Sequence, residues 1–566
     1  MSLLVIRPPR TRLRRTWFTT ALLGVPVPVL LLVLWHFGVS NAWELPFGIR
    51  MGFLPYPTDV ATTLVDFAVG GVRNDAFSGQ LWVNLGASLA RVAGGFLLAA
   101  VIAIPLGIFM GRYYTVNSLF DATISLLRPI PATAWVPLVA LLIGIGDQAT
   151  IFLITLSAFF PIVLGTISGA RQVAPRLIEA AQMLGSSPFR ILYTVVIPAS
   201  VPAIVNGLRI GLGLAWVVLV LGETAGVRVG LGATISLARD IVRTDLVVVG
   251  MICIGPRRLP VRSGSGLDPA ARVPRASPAD RTGESVNATS ARPLSDIRVG
   301  NLCKSYHTAG GAVTAMTDLN LEVASGEFVA VVGASGCGKS TLLRILAGFE
   351  KPTSGTVSVG GIPVTGPGSD RGVVFQDYGL FPWLTVRENV MYGPRQHRVA
   401  RVDATVISER FLLMVGLTRV ADRYPGELSG GMQQRVALAR VLANDPAVLL
   451  MDEPFGALDA LTRGDLQVEL ARIRRETRTT VVFVTHSIEE AVFLADRVVV
   501  MTGGAAHGVP GHIRHIVDVS LGADRDVTSP EFNAVKRDIA RLVHEAPHTG
   551  PASLVSPAAS VSPAAR

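Results

Sequence analysis

Residues 328–347 read FVAVVGASGCGKSTLLRILA, a strand-like apolar run, a glycine-rich turn and a helix-like run in direct succession. The middle of it, Gly333, Ala334, Ser335, Gly336, Cys337, Gly338, Lys339, Ser340 and Thr341, has the spacing of a phosphate-binding loop. In such a loop the glycines let backbone N–H groups wrap phosphate oxygens. Lys339 then reaches the β and γ phosphates, and the Ser340 hydroxyl is placed on Mg²⁺. A plain strand-to-helix turn is the alternative, and the strand-like and helix-like flanks argue against it. Cys337 fills a variable position of the loop and reads as a spacer.

About 110 residues further on, Val448-Leu449-Leu450-Met451 closes in Asp452-Glu453. An apolar run ending in two carboxylates can be no more than a strand end. Beside a phosphate loop, one carboxylate can hold a metal and the next can orient or deprotonate an attacking water. Short β-branched runs alternate with helical ones from Ile297 to about Val543, which predicts an α/β domain over 296–545. The last stretch, 546–566, is low in complexity and reads as a disordered tail.

Upstream the composition is different. The chain of 566 residues is 50% hydrophobic, 16% charged and carries a net charge of +10. That charge is uneven: +7 over residues 1–255, +4 over 256–295 and −1 over the remainder. Positive charge within an apolar half suits membrane-flanking loops and not a nucleic-acid-binding face. Three cysteines are too few for a disulfide framework. Apolar stretches at Trp17–Val39, Leu81–Met110, Leu119–Ile145, Ala149–Ile167 and Val195–Leu221 predict five bilayer spans, since about 20 apolar residues cross a bilayer. The arginines before Trp17, with Arg112 and Arg171, place the amino end in the cytoplasm. A sixth stretch, Leu246–Ile254, is short and runs into Pro256-Arg257-Arg258, where an Arg, Pro and Ser linker (256–295) begins. Arg91, Asp121, Arg128, Arg209 and Glu223 lie in or beside spans. Arg128 or Arg209 could line an anion path, and snorkelling to the interface explains them equally well.

Residues 297–543 closely resemble the ATP-binding subunits of ABC transporters. The resemblance rests on the phosphate loop, on Leu428-Ser429-Gly430-Gly431-Met432-Gln433-Gln434 as the signature motif, and on Asp452-Glu453. It implies an α/β P-loop NTPase domain of ABC type, with a RecA-like core and a helical subdomain, that binds and hydrolyses ATP with Mg²⁺. Tyr306 stands where the family packs an aromatic on adenine, and Gln376 where a glutamine senses metal and γ-phosphate. His486 matches the γ-phosphate histidine, Asp459 the inter-subunit loop, Asp452 the Mg²⁺ carboxylate beside Ser340 and Gln376, and Glu453 the catalytic base. Taken singly, Tyr306 could be a surface aromatic and His486 an ordinary strand-end histidine. In this family ATP lies between the phosphate loop of one subunit and Ser429, Gly430, Gly431 and Gln433 of another. The active form therefore needs a second copy of the chain or a partner ABC subunit.

The segment Glu179-Ala180-Ala181-Gln182-Met183-Leu184-Gly185, followed by Val195-Val196-Ile197-Pro198, resembles the cytoplasmic coupling loop of ABC importer permeases. The family has Ile and Leu where Val195 and Ile197 stand. This resemblance implies an all-α transmembrane permease domain over 1–255, multi-pass in the cell membrane and in contact with lipid. The ATPase would be cytoplasmic, and an external solute-binding protein would be a partner. The wider stretch 54–250 resembles permeases for nitrate, sulfonates, taurine and similar small ions. Two other readings stay open. One is an ABC exporter, which shares the membrane-then-ATPase order but has longer cytoplasmic connections. The other is an ABC ATPase whose own permease half is defective or vestigial, because related permeases continue as an apolar helix where this chain turns to Pro256. Joining of two adjacent reading frames would produce such a junction.

Overall fold

The computed structural model describes residues 26–255, 295–308, 311–456, 458, 460–477, 479–504, 509–522 and 525–544. The chain divides into two compact units, Met1–Gln172 with Ser200–Asp268, and Val173–Ala199 with Pro269–Arg566. The expected coupling segment thus belongs to the second unit.

The first unit is helical apart from a small hairpin that pairs Glu44–Leu45 with Ile49–Arg50. Among the described residues three helices are long and apolar enough to cross a membrane: Leu81–Arg112, Asp147–Arg171 and Pro188–Thr224, the last beginning in the second unit. The stretch expected to be one span over Leu119–Ile145 is two helices, Tyr114–Leu127 and Ala132–Leu142, meeting at 95°. Pro129 and Pro131 account for the break, because proline lacks a backbone donor and pushes the residue before it out of helical conformation. The expected first span is described only from Pro26, as the 15-residue helix Pro26–Ser40.

Close helix approach holds this unit together. A methyl on Gly107 would lie 2.9 Å from the Val163 carbonyl oxygen, and one on Gly165 would lie 3.0 Å from Gly207 Cα. Without a hydrophobic drive inside lipid, such small-residue contacts supply the packing. Two ion clusters add to it. Arg91 Nη1 donates to Glu223 Oε1 (2.6 Å) and its Nε to Asp147 Oδ1 (2.9 Å), while Ser88 Oγ and the Gly232 N–H also donate to Glu223. Asp245 accepts from Thr63 Oγ1 (2.9 Å), Arg73 Nη1 (2.5 Å) and Arg243 Nε (2.9 Å). It lies in the first turn of Thr244–Ile254, the sixth apolar segment, an 11-residue helix of about 16 Å. Leu246 and Val249 of that helix join a buried cluster with Val60, Phe67, Leu81 and Leu231.

The second unit is built on a ten-stranded sheet: β1 (Ile297–Thr308), β2 (Gly311–Val323), β3 (Phe328–Gly333), β4 (Ser354–Val359), β5 (Ile362–Pro363), β6 (Arg371–Val374), β7 (Val448–Asp452), β8 (Thr480–Val484), β9 (Arg497–Gly504) and β10 (Val509–Asp518). Their order is β5-β4-β1-β2-β10-β9-β3-β8-β7-β6. The run β9-β3-β8-β7-β6 is parallel throughout. Its strands are mostly apolar because helices cover both faces, so every residue is buried over the central Thr480–Val484 and even over Arg371–Val374 at the edge. Strands β5, β4, β1 and β2 are antiparallel.

Between β6 and β7 the chain forms the helices Val386–Gln396, Arg401–Met414 and Gly430–Leu442. The first carries a capping box, with the Thr385 hydroxyl accepting from the Glu388 N–H and the Glu388 carboxylate from the Thr385 N–H. Val436, Ala437 and Val441 of the third helix share one buried cluster with Val374 and Leu449 of the sheet. Five parallel strands end on one edge, so the segments that follow β3, β6, β7 and β8 gather there. At that edge an open α/β sheet binds its ligand.

Candidate functional site

The loop after β3 is glycine-dependent. Gly333 has φ 155°, and a methyl on it would lie 2.2 Å from the Met501 carbonyl oxygen on β9. Gly338, left-handed at φ 100°, opens the helix Lys339–Ala347. Lys339 Nζ donates to the carbonyls of Gly333 (2.7 Å) and Ala334 (3.1 Å), so its ammonium lies inside the loop it stabilises. A helix N-terminus and a buried ammonium converge on one place, a combination suited to anionic phosphate.

Ser340 Oγ donates to Asp452 Oδ1 across 3.2 Å. Burial pushes the Asp452 carboxyl above the usual carboxylate range, against the Ser340 hydrogen bond. Two hard oxygens this close, one on a carboxylate whose charge is penalised by burial, fit a divalent cation such as Mg²⁺. Glu453 follows in the left-handed region at φ 45°, a conformation that costs a glutamate on the order of 1–3 kcal/mol. Its N–H donates to the Val484 carbonyl at 2.9 Å, which ties the ends of β7 and β8 together. This turn brings Glu453 Oε2 to 3.4 Å from His486 Nδ1, on a ring that is 66% exposed. Gln376 borders the same turn, since a methyl on Gly456 would lie 3.6 Å from its Nε2.

Lys339, Ser340, Gln376, Asp452, Glu453 and His486 thus come from four strand ends to one edge. Tyr306, on β1, reaches the group differently: its hydroxyl donates to Glu350, just beyond the phosphate-loop helix. Lys304 Nζ sits 4.9 Å over its ring. Asp459 lies outside the described residues; its neighbour Leu458 accepts at its carbonyl from Arg463 Nη2 (3.0 Å).

The signature residues form a separate feature of the chain. Ser429 caps the helix Gly430–Leu442, its hydroxyl accepting from the Met432 N–H. Gly430 and Gly431 open that helix. The Gln433 amide donates to the carbonyls of Pro425 (3.0 Å) and Leu428 (3.2 Å), so it braces its own loop. Among the described residues no hydrogen bond joins this motif to the phosphate loop.

The segment from Val173 to Ala199 lies against the α/β part of the second unit. Its helix Pro175–Met183 buries Ala180 and Ala181, and Gly185 ends it at φ 84°. Ala180, Met183 and Leu184 line one hollow with Gly372, Val373, Arg440, Val441 and Asn444. Polar contacts ring this docking. Arg344 Nη2 donates to Glu179 Oε1 (2.8 Å), Arg176 Nη1 to Asp377 Oδ1 (3.2 Å) and Arg190 Nη1 to Gln396 Oε1 (3.0 Å). The Tyr392 hydroxyl bonds both Ser186 Oγ (3.1 Å) and Thr194 Oγ1 (2.7 Å). Arg344, Glu350, Asp377 and Tyr392 are not identified from the sequence, although Arg344 lies in the helix that follows the phosphate loop and Asp377 directly follows Gln376.

Residues 103–256 match the family described as binding-protein-dependent transport system inner membrane component, and residues 316–456 match the ABC transporter family. An uncharacterized ABC transporter ATP-binding protein of Methanocaldococcus jannaschii is 50% identical over 249 residues, 44% of this chain and 91% of that one. The bicarbonate transport ATP-binding protein CmpD of Synechocystis sp. is 50% identical over 232 residues, 41% of this chain and 82% of that one. The nitrate import ATP-binding protein NrtD of the same organism is 46% identical over 242 residues, 43% of this chain and 89% of that one.

Proposed function

The chain belongs to the ABC transporters, and from that membership we propose that it imports a small oxyanion of the nitrate or bicarbonate kind, working as a pair of identical chains. It is a multi-pass membrane protein with permease and ATPase on one polypeptide, the ATPase on the cytoplasmic side, and it hydrolyses ATP to drive import. The permease match is to a binding-protein-dependent component, which is an importer's permease and not an exporter's.

Relatives named for bicarbonate and nitrate support the substrate class. Each chain carries one phosphate loop and one signature motif, and among the described residues no hydrogen bond joins them, which supports pairing two chains. In this reading the loop N–H groups of 333–341 and Lys339 hold the phosphates, and Tyr306 packs on adenine. Ser340, Asp452 and Gln376 would hold Mg²⁺, whose charge offsets that developing on the phosphate oxygens. Glu453 takes the proton of the attacking water, and His486 contacts the γ-phosphate. Ser429, Gly430 and Gly431 close over the nucleotide of the partner chain, and Asp459 joins the two ATPases. The helix Pro175–Met183 carries closure to the spans.

The observation that carries the proposal is the seating of that helix on the ATPase of its own chain through Glu179 and Arg344. The test is reconstitution in liposomes with a solute-binding protein that binds nitrate or bicarbonate, following the labelled anions. ATP-dependent accumulation of either is expected. A second reading, a working ATPase with a non-conducting permease half, draws on the 11-residue helix Thr244–Ile254. ATP hydrolysis without uptake of any anion bound by that binding protein would select it.

A further inference from the structure

Arg344 lies between two carboxylates. Its Nε donates to Glu350 Oε1 at 2.7 Å, and its Nη2 donates to Glu179 Oε1 at 2.8 Å. On the far side, Glu350 Oε2 accepts from the Tyr306 hydroxyl. Lys304 Nζ is 3.7 Å from the same carboxylate and lies over the Tyr306 ring. Four side chains from four parts of the second unit thus form one unbroken row: strand β1, the turn three residues past the phosphate-loop helix, that helix itself, and the docked helix Pro175–Met183.

We propose that Glu350 is a positioning residue that links occupancy of the adenine seat at Tyr306 to the grip of Arg344 on Glu179. The inference rests on the reading of Tyr306 as the partner of the base. A purine on the Tyr306 ring restricts that ring and fixes its hydroxyl against Glu350. Glu350 then fixes the Nε edge of the Arg344 guanidinium. Because the guanidinium is planar and rigid, holding one edge aims the other at Glu179. Burial works against the charge of Glu350, yet Tyr306 and Arg344 together hold its carboxyl below the usual range, so it is available as the anionic middle of the row. The path reports the base. It is distinct from Gln376, which borders the carboxylates at the strand ends.

The experiment separates base from phosphates. The full chain carrying Glu453→Gln is placed in lipid nanodiscs and loaded to equal occupancy with Mg·ATP or with Mg·tripolyphosphate, which has the phosphates and no base. Hydrogen exchange of amides 175–185 is then followed. With Glu350 present, ATP protects these amides about fivefold or more beyond tripolyphosphate, a typical coupling magnitude. In Glu350→Gln the two ligands protect equally, and Tyr306→Phe, which keeps the ring and loses the donor, behaves the same way. Equal protection by the two ligands in the chain with native Glu350 overturns the proposal. So does an ATP-selective protection that survives Glu350→Gln while Tyr306→Ala weakens ATP binding. If Tyr306→Ala leaves ATP affinity untouched, the reading of Tyr306 as base partner fails instead.

Discussion

Replacing Glu453 by glutamine tests the assignment on which catalysis turns. The substitution changes one oxygen to an amide and little else. The left-handed backbone at φ 45° and the bond from the residue 453 N–H to the Val484 carbonyl do not depend on the side chain, so the β7–β8 tie survives. Asp452 and Ser340 remain 3.2 Å apart, leaving nucleotide and metal binding in place. What disappears is the group able to accept the water's proton. General-base catalysis contributes on the order of 10²–10⁴ in rate, or about 2.7–5.4 kcal/mol of barrier at 1.36 kcal/mol per decade. The upper part of that range is expected. His486 is the other proton acceptor at the turn, and its 66% exposure leaves it solvated and poorly held to take over. Phosphate release from purified protein measures turnover, and a fluorescent ATP analogue measures binding. Turnover within about tenfold of native, with binding intact, would show that Glu453 is not the base.

Three further perturbations follow from the geometry. Gly333→Ala forces a methyl to 2.2 Å from the Met501 carbonyl oxygen, and is expected to cost at least about 1–3 kcal/mol and abolish ATP binding, seen in urea melts and nucleotide titration. Arg91→Met leaves Glu223, whose side chain is 0% exposed, as an unpaired buried charge. A loss of about 3–5 kcal/mol is expected, most of it recovered in Arg91→Met with Glu223→Gln, followed by thermal unfolding in nanodiscs. Glu179→Gln weakens a charge-assisted bond that is partly exposed on the Arg344 side, worth about 1 kcal/mol after solvent screening. Solute taken up per ATP hydrolysed should fall severalfold, with basal ATP hydrolysis persisting; unchanged stoichiometry would remove Glu179 from coupling.

The parts of this molecule that were legible in sequence are those where one local pattern determines one structure. Phe328–Val332 and Val448–Met451 are apolar without alternation, and strands covered on both faces by helices must be. Gly333, Asp452 and Glu453 group together in sequence through the spacing of the phosphate loop, the carboxylate pair closing a strand and the family resemblance, and the parallel pairing of these strands is what brings their loops to one edge. The 95° break was also written in the chain, as Pro129 and Pro131, but the near-continuous run of apolar residues over Leu119–Ile145 hid it. Glu350 was not legible by any means. Its meaning comes from Tyr306, 44 positions earlier in the chain, and from Glu179, which enters through Arg344 from 165 positions away. Pairings of that kind depend on how strands and helices stack, and no periodicity records them.

The same limit governs the charges of the membrane half, where structure changes what they can do. In sequence Arg91, Arg128 and Arg209 are all cations in or beside an apolar stretch, and Arg128 and Arg209 are the two that read as able to line an anion path. In the folded unit Arg91 is bound by Glu223 and Asp147, and Glu223 is bound in turn by Ser88 and the Gly232 N–H. A guanidinium held between two carboxylates offers an approaching oxyanion little net field, and releasing it would strand Glu223 in a buried site. Arg91 is therefore a structural cation that joins helices 81–112, 147–171 and 188–224. Arg128 and Arg209 enter no ion pair among the described residues, and both are exposed on the unit. Arg112 and Arg228 share that state among the described residues, so a fixed cation for an anion path is open to several exposed arginines and not to Arg91, whose paired charge keeps the helices in place.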